Sequence, residues 1–244
     1  VELGLMYLEL RRVHSDLLFL AHQDAVRKLL STGGGHPAGD GSTPRAPDQD
    51  VLERDIVVFN AVKGVYDEAR VYDLEGRQRL RVVNENGVPT RAMTSASPSP
   101  GFFPAAMLLS PGEVLVSAFS LQSRSGKPVR PLKPVIEFVT LVSDETGRPL
   151  GVFALTYLGR HLLANVNEIA AGFPGSMMLV NGLGQYIHGP DPSRNWGWLL
   201  DHGHSFRRDF PDEWAQLEED VGGTIRTERG VFTFQRINPG PVSY

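Results

Sequence analysis

The sequence predicts an α+β fold in which a long N-terminal helix is followed by two tandem units of antiparallel sheet. Three observations predict it. Apolar residues recur every three to four positions over residues 3–31, as on one face of a helix. Segments of strand character then follow in pairs joined by tight turns. The order of helix, hairpin, short helices and further antiparallel strands occurs twice, the second time in shorter form, which indicates two units in series.

The composition is that of a folded protein without cysteine chemistry. The chain has 244 residues, 41% hydrophobic and 21% charged, with a net charge of −4. These values argue against a disordered chain and against an overall basic surface for nucleic acid. The absence of cysteine excludes disulfides, zinc–thiolate sites and cysteine nucleophiles. No apolar stretch reaches the ~20 residues of a membrane-spanning helix. The sequence opens within a helix, so we expect flanking membrane segments in a longer protein.

The first elements are helical. The predicted helix over residues 3–31 is too long for the core of one small domain, so we expect part of it to pack on a partner helix. Residues 31–50 contain five glycines and three prolines, which indicates a mobile loop. The apolar spacing predicts a second helix over residues 51–63, with Gly64 at its C-terminal cap.

Strands are predicted next. Residues 66–74 and 78–83 flank a turn of Glu, Gly and Arg, which is a hairpin signal. Residues 113–121 alternate as a strand does. Residues 135–143 and 150–157 carry apolar side chains on both faces, which is typical of central, buried strands.

The second unit repeats this order after a connecting helix. In it we expect two strand pairs and one helix, over residues 176–181 with 185–188, residues 223–227 with 230–237, and residues 212–221. The predicted regions are therefore a stalk helix and loop (1–50), a first sheet unit (51–158), a connecting helix (159–172) and a second sheet unit (173–244).

An ordered set of motifs resembles a known family. The motifs are YDEARVYDLEG at 66–76, PGEVLVS at 111–117, LKPVI at 132–136, VSDETGRPLGV at 142–152, LVNGLGQY at 179–186 and HGPDP at 188–192. Together they resemble double Cache domains, the extracytoplasmic PAS-like sensor modules of bacterial histidine kinases, diguanylate cyclases and chemoreceptors. Each motif is weak alone, and the specificity lies in their order along nearly the whole chain.

The resemblance implies a non-catalytic sensor on the periplasmic side of an inner membrane. Residues 51–158 would be a membrane-distal unit that binds a small molecule. Residues 173–244 would be a membrane-proximal unit, which we expect to be incomplete at its C-terminus. The long helix would pair in a homodimer, and flanking membrane segments would carry the signal to a kinase or cyclase output domain. No cofactor and no nucleic acid is implied.

The ligand implied by the resemblance is not a typical amino acid. Many members bind amino acids through an Arg, a Trp, a Tyr and an Asp. The corresponding positions here are Pro100, Phe102, Phe119 (or Ser120) and Thr156. Proline cannot form the bidentate bond that arginine offers a carboxylate, and threonine cannot neutralise an ammonium group. We therefore expect a less polar pocket lined by aromatic rings.

The candidate ligand-binding residues come from two sources. Phe102, Phe119 and Thr156 correspond to family pocket positions, and strand placement adds seven further residues: Tyr72, Arg81, Phe103, Ser117, Glu137, Thr140 and Tyr157. Glu137 lies in an otherwise apolar strand, so it is either a pocket residue or the partner of an arginine such as Arg70 or Arg81. The alternative for the phenyl rings is that they fill the core of the first unit.

Two other functions remain open from the sequence. His188, Asp191, His202 and His204 could form the metal site of a hydrolase, because imidazole and carboxylate groups are common metal ligands. The simpler interpretation is that these histidines are exposed in a polar loop, and we expect neither a metal nor a catalytic site. The third possibility is a dimerisation module whose two pockets are filled by side chains.

Overall fold

The computed structural model describes residues 3–31, 47–93, 101–124, 126–218, 220–237 and 242–243. These residues group into two compact units. The larger contains the described residues of 8–117 and 136–158 together with Val242 and Ser243, and the smaller contains those of 3–7, 118–135 and 159–237. Of the loop predicted over 31–50, residues 32–46 lie outside the described residues, as does Pro100, whereas residues 47–50 belong to a helix.

Helices and antiparallel strands confirm the α+β class. In chain order the helices are α1 (Leu3–Ala21), α2 (Asp24–Ser31), α3 (Pro47–Lys63), α4 (Phe103–Ala106), α5 (Arg160–Ala171), α6 (Phe206–Asp209) and α7 (Pro211–Leu217). The strands are β1 (Tyr66–Asp73), β2 (Gln78–Glu85), β3 (Val88–Arg91), β4 (Val114–Val116), β5 (Ser120–Leu121), β6 (Ser123–Arg124), β7 (Lys127–Pro128), β8 (Pro134–Ser143), β9 (Pro149–Leu158), β10 (Leu179–Val180), β11 (Tyr186–His188), β12 (Gly222–Thr227), β13 (Gly230–Gln235) and β14 (Val242–Ser243).

The long N-terminal helix predicted as one element is interrupted after Ala21. The amide of Gln23 bonds the carbonyl of Leu20, three residues back, which tightens the last turn of α1. The redirected helix α2 buries Val26, Leu29 and Leu30 and packs on α3 and β9. No glycine or proline lies at the break. The break therefore follows from this packing and not from a helix-breaking residue. Helix α3 begins at Pro47, four residues before the predicted start, because proline suits the first turn of a helix.

The sheet of the larger unit has the strand order β14-β4-β8-β9-β1-β2-β3. Strand β1 is antiparallel to both β2 and β9, and β14 is parallel to β4. Tyr66 pairs with Tyr157 and Glu68 pairs with Thr156, so one extra residue, Asp67, bulges out of β1. The predicted hairpin and the two predicted central strands are all present.

The two faces of this sheet bury different groups. Successive side chains of a strand point to opposite faces, so residues such as Val71 and Phe153 face the side of α2 and α3. The opposite face, called here the α4 face, carries an apolar cluster that includes residues of α4 and the segment beside it. Its buried members are Tyr72, Phe102, Ala106, Leu109, Leu115, Val139, Leu141, Val152 and Ala154.

The smaller unit is built from short elements around aromatic cores. Its sheets have two strands each, β10 with β11, β12 with β13, and β6 with β7. One core surrounds Trp196 and the other surrounds Phe206 and Trp214. The strand predicted over 113–121 is interrupted after Val116 and resumes at Ser120, where β5 pairs with the first residues of β8. In the described part of the chain, no helix combines the length and the apolar character needed to cross a membrane.

Candidate functional site

A buried arginine is the centre of the polar end of the α4 face. Arg70 lies on β1, and its Nη2 donates to Glu137 Oε1 at 2.5 Å and to Thr156 Oγ1 at 2.9 Å. Glu137 comes from β8 and Thr156 from β9, so three neighbouring strands meet in this group. The alternation of β1 places Glu68 on the same face, where its carboxylate lies 3.5 Å from Nε of Arg70.

The guanidinium of Arg70 also contacts an aromatic ring. Its central carbon lies 5.5 Å from the centroid of the Phe102 ring, within cation–π range. Tyr72 packs edge-on against Phe102 and Phe103, at centroid distances of 5.9 and 6.2 Å. The hydroxyl of Tyr72 accepts a hydrogen bond from Gln78 Nε2 at 3.2 Å. Charged and aromatic groups thus share one face of the sheet.

The electrostatics keep Arg70 charged. Burial by itself would lower the pKa of Arg70, but the carboxylate of Glu137, the hydroxyl of Tyr72 and the carboxylate of Glu68 outweigh it, so the pKa is raised. Glu68 also binds Arg81 Nη2 at 2.9 Å. Two arginines and two carboxylates therefore form a network with no net charge. Within it, Nε of Arg70 is buried and has no hydrogen-bond partner, since its contact with Glu68 is an ion pair only.

Seven of the predicted site residues belong to this face or support it directly. Phe102 and Thr156, which are 1% and 3% exposed, lie on it with Tyr72, Phe103, Arg81 and Glu137. Ser117 holds the backbone of Glu137, because its amide bonds the Glu137 carbonyl at 2.8 Å and its hydroxyl accepts from the Glu137 amide at 2.9 Å. The pairing of Glu137 with Arg70 is one of the two alternatives that the sequence left open.

Three predicted site residues lie elsewhere. Thr140 and Tyr157 occupy positions of opposite parity on β8 and β9 and therefore face the other side of the sheet. Thr140 Oγ1 donates to the Glu113 carbonyl at 2.7 Å, and the Tyr157 hydroxyl bonds the carboxylate of Glu9 on α1. Phe119 lies in the smaller unit, where its ring packs edge-on against Trp196 at 5.4 Å.

The sequence reasoning missed Glu68 as a site residue. The signal was available, because Glu68, Arg70 and Tyr72 alternate along β1 with the apolar residues Ala69 and Val71. Such period-2 spacing places all three on one face of a sheet. The pattern does not show which neighbouring strands supply the partners of these side chains.

The histidine group does not form a metal site in the structure. Among the described residues, no set of three or more His, Asp or Glu side chains is positioned to hold a metal ion. Asp191 accepts hydrogen bonds from the amide and hydroxyl of Ser193 and forms an ion pair with Arg194. The rings of His202 and His204 lie 5.3 Å apart, and the partners of Asp191 described above are Ser193 and Arg194. The described structure therefore does not bring the four predicted side chains together as one set of metal ligands.

One family model matches most of the chain. The family model described as the sensor domain of bacterial histidine kinases matches residues 42–242. No curated protein sequence matches the chain at a significant level.

Several solved structures share the fold. A structure described as the extracellular domain of the histidine kinase vpHK1S-Z8 has a TM-score of 0.78 at 18% identity, covering 99% of this chain and 85% of that one. A domain of a sensory box/GGDEF family protein from Vibrio parahaemolyticus has a TM-score of 0.76 at 17% identity, covering 98% and 89%. The ligand-binding domain of the Pseudomonas fluorescens chemoreceptor CtaA in complex with L-leucine has a TM-score of 0.52 at 12% identity, covering 91% and 76%.

Proposed function

Because the chain belongs to the family of bacterial histidine kinase sensor domains, we propose that it binds a small molecule on the α4 face of its larger sheet. The chain is an extracytoplasmic sensor domain of a signal-transduction receptor, like the extracellular domains that share its fold. The sensor-domain family is non-catalytic. Our proposal adds that the full receptor carries a kinase or cyclase output domain, to which flanking membrane segments connect this domain.

The domain assignment follows the family pattern as part of this proposal. Residues 51–158 would form the membrane-distal unit and residues 173–244 the membrane-proximal unit, joined by residues 159–172. The α4 face lies within the former range. We leave Phe119 out of the proposed site because it packs with Trp196 in the smaller unit.

The observation that carries the proposal is the environment of Arg70. A buried guanidinium whose Nε makes no hydrogen bond, on a sheet face beside buried aromatic rings, is unusual for a purely structural ion pair. Ligand sites combine an apolar lining with a few convergent polar groups. Arg70, Glu137 and Thr156 converge here from three strands, while Phe102 and Tyr72 supply the apolar lining.

The charges favour a mostly uncharged ligand. Arg70 and Arg81 are balanced by Glu68 and Glu137, so neither an anion nor a cation finds an unmatched charge in this network. A buried unpaired charge is costly, whereas a neutral group with one hydrogen-bond acceptor could bind Nε of Arg70. We therefore propose a small ring-bearing molecule with one acceptor group rather than a typical amino acid. The amino-acid complexes of chemoreceptors with this fold make amino acids the comparison class.

Helix α1 supports a homodimer as the second part of the proposal. Leu8 and Phe19 are 50% and 64% exposed, and they lie eleven residues apart, which is about three turns on the same side of a helix. Pairing of α1 with a second copy would cover both side chains. A ligand would then act by binding one arrangement of this dimer more tightly than another.

A thermal-shift panel tests the proposed ligand class. The purified chain is heated with neutral ring compounds that carry one acceptor, such as benzamide, and separately with L-leucine and L-serine. We expect a neutral compound to raise the melting temperature, because a ligand that binds only the folded state stabilises it. Native mass spectrometry of the purified chain searches for a co-purifying molecule of the same class.

Two variants make the panel specific to the site. Phe103→Ala removes a half-buried ring beside Tyr72, so it should reduce the shift. Phe173→Ala removes an exposed ring of the smaller unit and should leave the shift unchanged. Stabilisation by amino acids alone, with an equal shift in both variants, would contradict the proposed ligand and its position.

A further inference from the structure

Two tyrosine–carboxylate hydrogen bonds join the sheet of the larger unit to α1. We propose that these two bonds couple the polar network of the α4 face to α1. The Tyr66 hydroxyl donates to Asp16 Oδ2 at 2.6 Å, and the Tyr157 hydroxyl bonds Glu9 Oε1. The proposal rests on the proposed function only for the ligand as the natural input, since the coupling itself belongs to the fold.

The two bonds form a matched pair. Tyr66 and Tyr157 are directly opposite each other on β1 and β9, and both are 0% exposed. Glu9 and Asp16 are seven residues apart, about two helical turns, and so lie on the same side of α1. Hydrogen bonds to charged acceptors are roughly twice as strong as those between neutral groups. Adjacent strands are therefore tied to one helix at two positions about two turns apart.

The bulge in β1 places Tyr66 close to the polar network although its side chain lies on the opposite face. Without an extra residue, Tyr66 and Glu68 would lie on the same face, because they are two positions apart. Asp67 supplies that extra residue, so Tyr66 turns toward α1 while Glu68 turns toward Arg70. On β9 the same switch needs no bulge, since Thr156 and Tyr157 are consecutive.

Each of the two tyrosines thus has a residue of the polar network close to it on the same strand. Thr156 Oγ1 accepts from Arg70 on one face, and the next side chain, Tyr157, reaches Glu9 on the other. Glu68 contacts Arg70 at 3.5 Å and pairs across the strands with Thr156. Any movement of Arg70 that changes these contacts acts on a strand position one residue from Tyr157 and on another two residues from Tyr66.

Further contacts stabilise the hydrogen bond between Tyr66 and Asp16. Lys63 Nζ lies 2.9 Å from Asp16 Oδ1, so Asp16 has a cation and a hydroxyl as partners. The Phe59 ring stacks on Tyr66 at 5.7 Å. Burial, followed by the bond to Asp16, raises the pKa of Tyr66, so its hydroxyl stays protonated and remains a donor at physiological pH.

A double-mutant cycle tests the coupling without any ligand. Amide hydrogen exchange of residues 8–21 is measured in the wild-type chain, Thr156→Val, Tyr157→Phe and the double variant. Tyr157→Phe should speed exchange in α1 by about tenfold, because it removes a hydrogen bond to a charged group. Thr156→Val, whose side chain faces away from α1, should speed the same amides by about threefold in the wild-type background. In the Tyr157→Phe background its effect should fall below about 1.5-fold.

Controls separate coupling from general loosening of the protein. Tyr186→Phe removes the same kind of bond, to Asp209 at 3.1 Å in the smaller unit, and should leave α1 exchange unchanged. Glu9→Gln keeps an acceptor and should retain the effect of Thr156→Val, whereas Glu9→Leu should abolish it. If a double variant fails to fold, the cycle is run with Glu137→Gln and Tyr66→Phe.

The outcome is decided by whether the effects multiply. Independent multiplication of the Thr156→Val and Tyr157→Phe effects, or an unchanged α1 in Thr156→Val, would overturn the coupling. A thermal-shift panel without any hit would count against the proposed ligand and leave this result standing. The two proposals therefore fail separately.

Discussion

At the scale of single residues, Arg70 organises the site. Its buried guanidinium contacts Glu137, Thr156 and the Phe102 ring at once. A planar, permanently charged group with five donors suits such a position better than the flexible ammonium of lysine. The same residue gives the site its polarity and joins three strands.

Replacing Arg70 should destabilise the protein strongly. Arg70→Met leaves Glu137 and Glu68 without their partner, and breaking a buried pair from one side costs about 3 kcal/mol. Urea unfolding followed by circular dichroism measures the change in the free energy of unfolding. Arg148→Met replaces an exposed arginine and provides the control, for which we expect the free energy of unfolding to change by no more than about 0.5 kcal/mol. A loss of less than about 1 kcal/mol in Arg70→Met would show that the network is not buried as described.

At the scale of elements, the turn between β1 and β2 illustrates how a short motif is built. The carboxylate of Asp73 accepts hydrogen bonds from the amides of Glu75 and Arg77, at 3.2 and 2.9 Å, and from the Arg77 side chain. Gly76 adopts a φ of +75°, which L side chains rarely adopt. The turn closes the hairpin whose first strand carries Arg70.

This turn should make stability depend on pH. Burial raises the pKa of Asp73, but its hydrogen bonds from Arg77 and the charges of Arg77 and Arg79 outweigh burial and lower the pKa. A lowered pKa adds stability above the unfolded value of about 3.9, and that stability is lost as the pH falls through the folded value. Asp73→Asn should therefore be less stable than wild type at pH 7, by a gap that narrows below about pH 4.

Urea unfolding of both proteins between pH 7 and pH 2 measures this gap. Asparagine keeps an oxygen that can accept the backbone bonds of the turn, so the comparison isolates the charge of Asp73. A gap that stayed constant over the whole range would mean that the carboxylate charge contributes nothing to the hairpin.

At the scale of the whole molecule, the two proposals concern opposite faces of the sheet in the larger unit. One face bears the polar network and aromatic rings, and the tyrosines at the start of β1 and near the end of β9 bind α1 on the other. This arrangement suits a sensor whose ligand and output helix lie on opposite sides of the same strands.

The exposed side of α1 should govern the oligomeric state. If α1 pairs with a second copy, Phe19→Glu places a charge in the interface and should convert a dimer into a monomer in sedimentation-velocity experiments. Val231→Glu changes an equally exposed apolar residue on β13 and serves as the control. A wild-type chain that stays monomeric at high micromolar concentration, or a Phe19→Glu chain that stays dimeric, would contradict the proposed pairing.

Most elements of the fold could be predicted because their signals are local. The hairpin of β1 and β2 rests on a turn motif, and β8 and β9 rest on continuous apolar runs. The break between α1 and α2 could not be predicted in this way, since no breaker residue marks it and the burial of Val26 and Leu30 decides it. The interruption between β4 and β5 has no local marker either.

The site could be predicted only in part. Alternation along one strand is local, so Tyr72 and Glu137 were identifiable as members of a sheet face. The face to which Tyr157 belongs depends on its neighbours in space, and Phe119 lies with Trp196 in the smaller unit. The amino-acid sequence alone therefore determined the order of helices and strands and the family, through patterns a few residues long. The tertiary structure decided which side chains meet, as Arg70 does with Glu137 across 67 positions of the chain, because strand register and the bulge at Asp67 are set by packing between distant segments.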